Sequence, residues 1–298
     1  RLSMCYGWDP GSLIVNVNYA YLGFGNACGT DYNANRAFGV EFYNIADETE
    51  RNEAVQKSID SGVPVLTLGG RAEPEWCITT GYEKTADSIK YFGRSYFDGD
   101  APENELLYTD NKYTFANRYP GEWPEGFVKL CDKKCDPLPA KDALKMSLET
   151  CLKMFSSHEK MGYGAYEFMI KSLNENKYTN QENNGEYSGW DVCMHFQILL
   201  DARRAAYHYL KESAELLSGE NKVKLMNASA IYREMFDALS SVLSYEELNK
   251  HRSESKHDFD SWFSAELRKD IVNALQKMVS LEKQARIIVQ KILDNWNK

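Results

Sequence analysis

The chain has 298 residues, 43% hydrophobic and 27% charged, a composition that can bury about three quarters of the unfolded surface and excludes a disordered polymer. Lys and Arg number 35 against 44 Asp and Glu, and the net charge of -9 argues against nucleic acid and anionic membrane as partners. No run approaches the ~18 apolar residues of a spanning helix. The seven cysteines, an odd number, fit reduced thiols in a cytoplasmic protein better than a disulfide framework.

Chain-breaking residues divide the sequence. All eight prolines precede residue 140, and most glycines fall in the same half. Since Gly and Pro punctuate turns, the pattern predicts a strand-and-loop region over residues 1–139 and a helical one over 140–298. In chain order, Leu13 to Tyr21 alternates as a strand, and Glu48 to Ser61 carries Ala54, Val55 and Ile59 at helical spacing before Gly62. Pro64 to Leu68 is a short apolar strand closed by Gly69 and Gly70, and Cys77 to Thr80 is another closed by Gly81. Tyr91 to Phe97 and Tyr108 to Phe115 are aromatic-rich strand candidates.

Beyond Lys141 the period changes to helical. Ala143 to Phe155, Tyr166 to Leu173, Val192 to Leu217, Val223 to Leu243 and Phe263 to Trp296 carry apolar stripes, with a polar loop expected from Asn249 to Asp260. A bundle of about five helices follows.

Histidine placement constrains the chemistry. His158, His195, His208, His251 and His257 all lie in the helical half, so no Cys-His pair can form within residues 1–157. Cys131 and Cys135 have the spacing of half a zinc site without a second pair, and His251, His257, Asp258 and Asp260 read as a polar connection; no metal or cofactor is expected. Gln197, Asp201, Arg204 and His208 share one helix face, either solvated or lining a cleft. The most site-like segment is Val63 to Tyr82, where two strands flank a glycine-bearing loop. Arg71, Glu75, Trp76, Cys77 and Tyr82 are its candidate substrate-binding residues, because loops held by rigid strands are where sites tend to lie.

The same segment carries a resemblance. The helix ending at Ile59-Asp60 and running into Ser61-Gly62-Val63-Pro64-Val65-Leu66, then Ile78-Thr79-Thr80-Gly81-Tyr82-Glu83, resembles the "G-x-P-V... G-Y-D" hairpin of papain-like domains of the butirosin biosynthesis protein H N-terminal type. The resemblance implies a papain-like mixed α/β domain followed by an all-α bundle, an α+β protein overall. It further implies cysteine-based acyl transfer or amide hydrolysis. The opening residues match a later part of that pattern, so the first domain is expected to lack its N-terminal helix, and with it the nucleophile. Where the family histidine would stand, the chain reads Glu75-Trp76-Cys77-Ile78, so neither catalytic partner is identifiable. Two functions stand side by side: a cysteine hydrolase or acyltransferase, and a non-catalytic protein binding a peptide, an acylated carrier or a small metabolite. Self-association through the helical half is a third.

Overall fold

The computed structural model describes residues 39–44, 48–68, 76–84, 89–95, 128–133, 136–154, 163–176, 189–252 and 256–296. Two compact units divide between Pro137 and Leu138.

The first unit holds five strands and one helix: β1 (Val40–Asn44), α1 (Glu48–Asp60), β2 (Val65–Leu68), β3 (Trp76–Lys84), β4 (Ile89–Ser95) and β5 (Val128–Lys133). They form one sheet in the order β1-β5-β2-β3-β4, and every pairing is antiparallel. Helix α1 ends because Gly62 takes φ +81, a conformation that suits a residue without Cβ. Its amide then bonds the Ile59 carbonyl, and the Val63 amide bonds that of Ser58, closing the last turn and aiming the chain into β2. On the sheet side Val55, Val65 and Tyr91 are buried, with Ala54, Ile59, Tyr82 and Ile89 packed around them.

The second unit is wholly helical among the described residues: α2 (Ala140–Met154), α3 (Tyr163–Asn174), α4 (Gly189–Ser213), a 3₁₀ turn (Ala214–Leu216), α5 (Gly219–Ser240), α6 (Tyr245–Arg252), α7 (Lys256–Trp262) and α8 (Ala265–Asp294). Helix α8 starts cleanly because the Ser264 hydroxyl accepts the Leu267 amide at 3.2 Å. Its buried positions Ile271, Leu275, Met278, Leu281, Ala285, Val289 and Ile292 make one continuous stripe. That stripe packs on α5, through Leu225, Ala228, Tyr232, Met235 and Leu239, and also on α2 and α3.

These observations correct the expected fold class. A papain-like mixed α/β domain is not what the described residues form: helix dominates, and α8 alone, at 30 residues, is about as long as the five strands together. The strands make a small antiparallel sheet carrying one helix. The physical reason lies in the connections, since β2, β3 and β4 are joined by segments too short for a parallel crossover and can only meander.

Several elements also differ locally. The strand expected to stop at Gly81 runs through it to Lys84, and Cys131, weighed as half of a zinc pair, lies in β5. The stretch read as a polar loop from Asn249 to Asp260 contains helical turns of α6 and α7, held by His251 stacked on Trp262 at 4.2 Å and by Phe259 against Phe263. Leu13 to Tyr21 and Tyr108 to Phe115 lie outside the described residues. No helix among the described residues is long and apolar enough to cross a membrane.

Candidate functional site

The sheet has two chemically different faces, and one irregularity in β3 decides which residues share them. Thr79 pairs with Gly93 but Gly81 pairs with Phe92, so Thr80 is an extra residue in the ladder. Side chains alternate along a strand, and one inserted residue reverses the alternation beyond it. Tyr82 therefore joins Thr79 on the face covered by α1, where its hydroxyl donates to the Asp60 carboxylate at 2.9 Å and 3.0 Å. The bond to Asp60 and some burial raise the Tyr82 pKa, and Lys84 lies 5.8 Å from its ring centroid. Beside it, the Tyr91 hydroxyl donates to Asn52 at 2.7 Å.

Gly93 makes the close approach feasible. A Cβ there would collide with the Ile78 carbonyl and come within 2.9 Å of the Thr79 Cα, so a side chain at this buried position requires the main chain to move.

The other face is set by register. Leu66 opposes Ile78, Leu68 opposes Trp76 and Ile78 opposes Arg94, so these positions lie together on the side away from α1. Ile78 is 46% exposed, an uncommon setting for a large branched side chain in the middle of a strand. Among the described residues, α1 is the helix that packs on the sheet, and it takes the opposite face.

The predicted site residues thus separate. Trp76 shares the open side with Ile78, whereas Cys77 and Tyr82 occupy positions on the α1 side. Arg71 and Glu75 lie outside the described residues. The polar stripe of α4 is the solvated alternative, with Arg204 and His208 exposed and Gln197 and Asp201 half-buried. Gln197 donates to Asn249 of α6 at 2.7 Å, and Arg204 pairs with Asp201 at 2.7 Å while its guanidinium lies 5.4 Å from the Tyr245 ring centroid.

Sequence reasoning missed the strongest polar cluster, which is inside the bundle. Glu282, 1% exposed, accepts hydrogen bonds from Arg203 at 2.8 Å, from the Tyr232 hydroxyl at 2.7 Å and from the Tyr166 hydroxyl at 3.3 Å. Arg203 also donates to the Tyr166 oxygen at 2.6 Å, and its guanidinium lies 5.8 and 5.9 Å from the Tyr166 and Tyr232 ring centroids. Burial alone would pull the Arg203 pKa down, yet Glu282 and the two tyrosines hold it above its ordinary value, so Arg203 remains a cation. Burial pushes Tyr166 up, and it pushes the neighbouring Cys151 thiol up to about 12, with the Glu282 charge adding to the effect. The carboxylate accepts from three donors, the thiol is neutral, and the group ties α3, α4, α5 and α8 together. Its role is to fix how the helices register.

A signal for this cluster was present. Arg203 falls on the α4 stripe with Leu199, Ala206 and Leu210, and Glu282 on the α8 stripe with Met278, Ala285 and Val289. Opposite charges at matching core positions of two helices are the mark of a buried pair.

Among the described cysteines, Cys151 and Cys193 are buried and not disulfide-bonded. Among the described residues no group of three or more His, Cys, Asp or Glu side chains could hold a metal ion. No family model matches the chain, and no curated protein matches it significantly.

Proposed function

We propose that the protein is a non-catalytic binding protein for a peptide, an acylated carrier or a small metabolite, and that the sheet face away from α1 is where the ligand docks. One observation carries this reading: Ile78 is 46% exposed at the centre of a face shared by register with Leu66, Leu68, Trp76 and Arg94. Rigid strands present these positions in fixed spacing, which suits recognition. The chemistry on the page favours binding over acyl transfer, because Cys151 is held as a neutral thiol in the core and the histidines all lie beyond residue 157. The odd number of cysteines supports a reducing compartment such as the cytoplasm as its setting.

The test is a thermal-shift and native mass spectrometry screen of the full chain against peptides, acylated carriers and metabolites, repeated with Ile78→Asp. A ligand retained by the parent chain and lost by the variant is expected. If every ligand found binds the variant equally well, the face is not the docking site. Iodoacetamide titration is expected to find no cysteine alkylated far faster than the rest; a single hyper-reactive thiol would overturn the non-catalytic reading.

A further inference from the structure

Two cations of α8 converge on one phenol of α3. Tyr163, the first residue of α3, is half-buried, and the Lys283 ammonium lies 5.5 Å from its ring centroid. Burial raises the Tyr163 pKa, while a hydrogen bond and the charge of the half-buried Arg286 guanidinium pull it back. Positions three apart on a helix are neighbours, so the like charges of Lys283 and Arg286 repel. Elsewhere on the bundle cations meet carboxylates: Lys277 reaches Glu234 at 2.9 Å, Lys224 reaches Glu220 at 3.0 Å and Arg233 reaches Asp237 at 3.7 Å. Among the described residues no carboxylate forms an ion pair with Lys283 or Arg286. Glu282, one turn before Arg286, is held by Arg203 at 2.8 Å, and the first turn of α3 carries no acidic residue. Glu167, one turn into α3, is exposed and pairs with neither cation.

A partly desolvated guanidinium beside a second cation is a costly arrangement unless an anion completes it. We propose that Arg286, Lys283 and the Tyr163 hydroxyl bind a phosphate monoester group at the surface of the bundle. The proposal uses residues of the helical unit alone and is independent of the sheet-face reading. Three donors, a guanidinium fork, an ammonium and a phenol, match the three terminal oxygens of a phosphate monoester, where a carboxylate offers two oxygens and a single charge. The group is also small enough to fit the chain. Beyond a Debye length of about 8 Å the net charge of -9 opposes a long polyanion, whereas one phosphate beside two adjacent cations stays within that distance. A phosphate monoester occurs on soluble metabolites and on lipid headgroups, and the experiment separates the two sources.

The experiment is calorimetric titration of the full chain with inorganic phosphate, glycerol 3-phosphate and acetate, alongside flotation with phosphatidylcholine vesicles that contain or lack phosphatidate. The variants are Arg286→Gln, Lys283→Gln and Tyr163→Phe. The control is Lys269→Gln, an exposed cation about 25 Å from Arg286 along α8 at the usual helical rise. Circular dichroism establishes that each is folded. Phosphate or its glycerol ester is expected to bind the parent chain more tightly than acetate. Affinity should weaken roughly tenfold in each charge variant, the scale of one lost charge-assisted contact, and roughly threefold in Tyr163→Phe. Lys269→Gln should leave it unchanged. Binding of the soluble ester without vesicle flotation supports the site and assigns it to a metabolite. Flotation that requires phosphatidate and is lost in Arg286→Gln supports it and assigns it to a headgroup. Absence of binding to every phosphate, binding indifferent to Arg286 and Lys283, an equal loss in Lys269→Gln, or acetate binding as tightly as phosphate would each overturn the proposal.

Discussion

The helical unit and the sheet unit are stabilised by different means. In the bundle, a long apolar stripe on α8 meets matching stripes on α2, α3 and α5, and one buried ion pair sits within that contact. In the sheet unit the described core is small, Val55, Val65 and Tyr91 with their neighbours, and structure is specified by ladder register, a bulge at Thr80 and a glycine at 93. A deep core tolerates imprecise backbone detail because burial contributes the stability, whereas a thin sheet depends on each backbone contact being right. The bundle buries the Arg203–Glu282 pair and exposes Val223 and Ile287 at its surface, while the sheet exposes Ile78 on the face away from α1.

Breaking the bundle at its ion pair gives the largest expected effect. Glu282→Ala strands the Arg203 guanidinium in the core and is expected to cost about 3–5 kcal/mol, read as a fall in the denaturation midpoint. Arg203→Leu/Glu282→Leu removes both charges and is expected to recover most of that loss. If the double variant is as unstable as the single one, the pair does more than neutralise itself.

Gly93→Ala probes the other unit. Forcing a Cβ against the Ile78 carbonyl shifts β4 from β3 and is expected to cost roughly 1–3 kcal/mol. Hydrogen exchange should accelerate in β3 and β4 and stay unchanged in α5 and α8; protection lost in the bundle as well would erase the distinction drawn between the two units.

The smallest effect sharpens the bundle's interior. Cys151 is neutral in the folded state up to about 12, against 9.0 for an ordinary thiol. The unfolded chain therefore ionises first as pH rises. The stability this contributes is fully present below pH 9.0 and is lost as pH rises toward about 12, amounting to about 1 kcal/mol at one pH unit above the unfolded value. Cys151→Ala should flatten that part of the alkaline slope in denaturation measured at successive pH values. An unchanged slope would mean that the thiol is already solvated.

How much was legible differs between the units for the same reason. The helix from Glu48, the strand from Val65 and the long helices after Ala140 are local patterns, written in periodicity, a terminal glycine or a cap such as Ser264. Strand β5 was not foreseen, since Val128 to Lys133 is short and its partners β1 and β2 are distant in sequence. Of the candidate site, Trp76, Cys77 and Tyr82 all lie on β3, but the side taken by Tyr82 was invisible, since it turns on one unpaired residue in the ladder.

Composition, charge, the proline-free helical rear and the absence of histidine before His158 follow from the amino-acid sequence directly, because each is a count or a local period. Tertiary structure alone decided that Arg203 meets Glu282, that Tyr82 reaches Asp60, and that Lys129, Leu66, Ile78 and Arg94 align in one row. Those relations join residues separated by long stretches of chain, and their energies depend on burial and register that exist only after the backbone has closed.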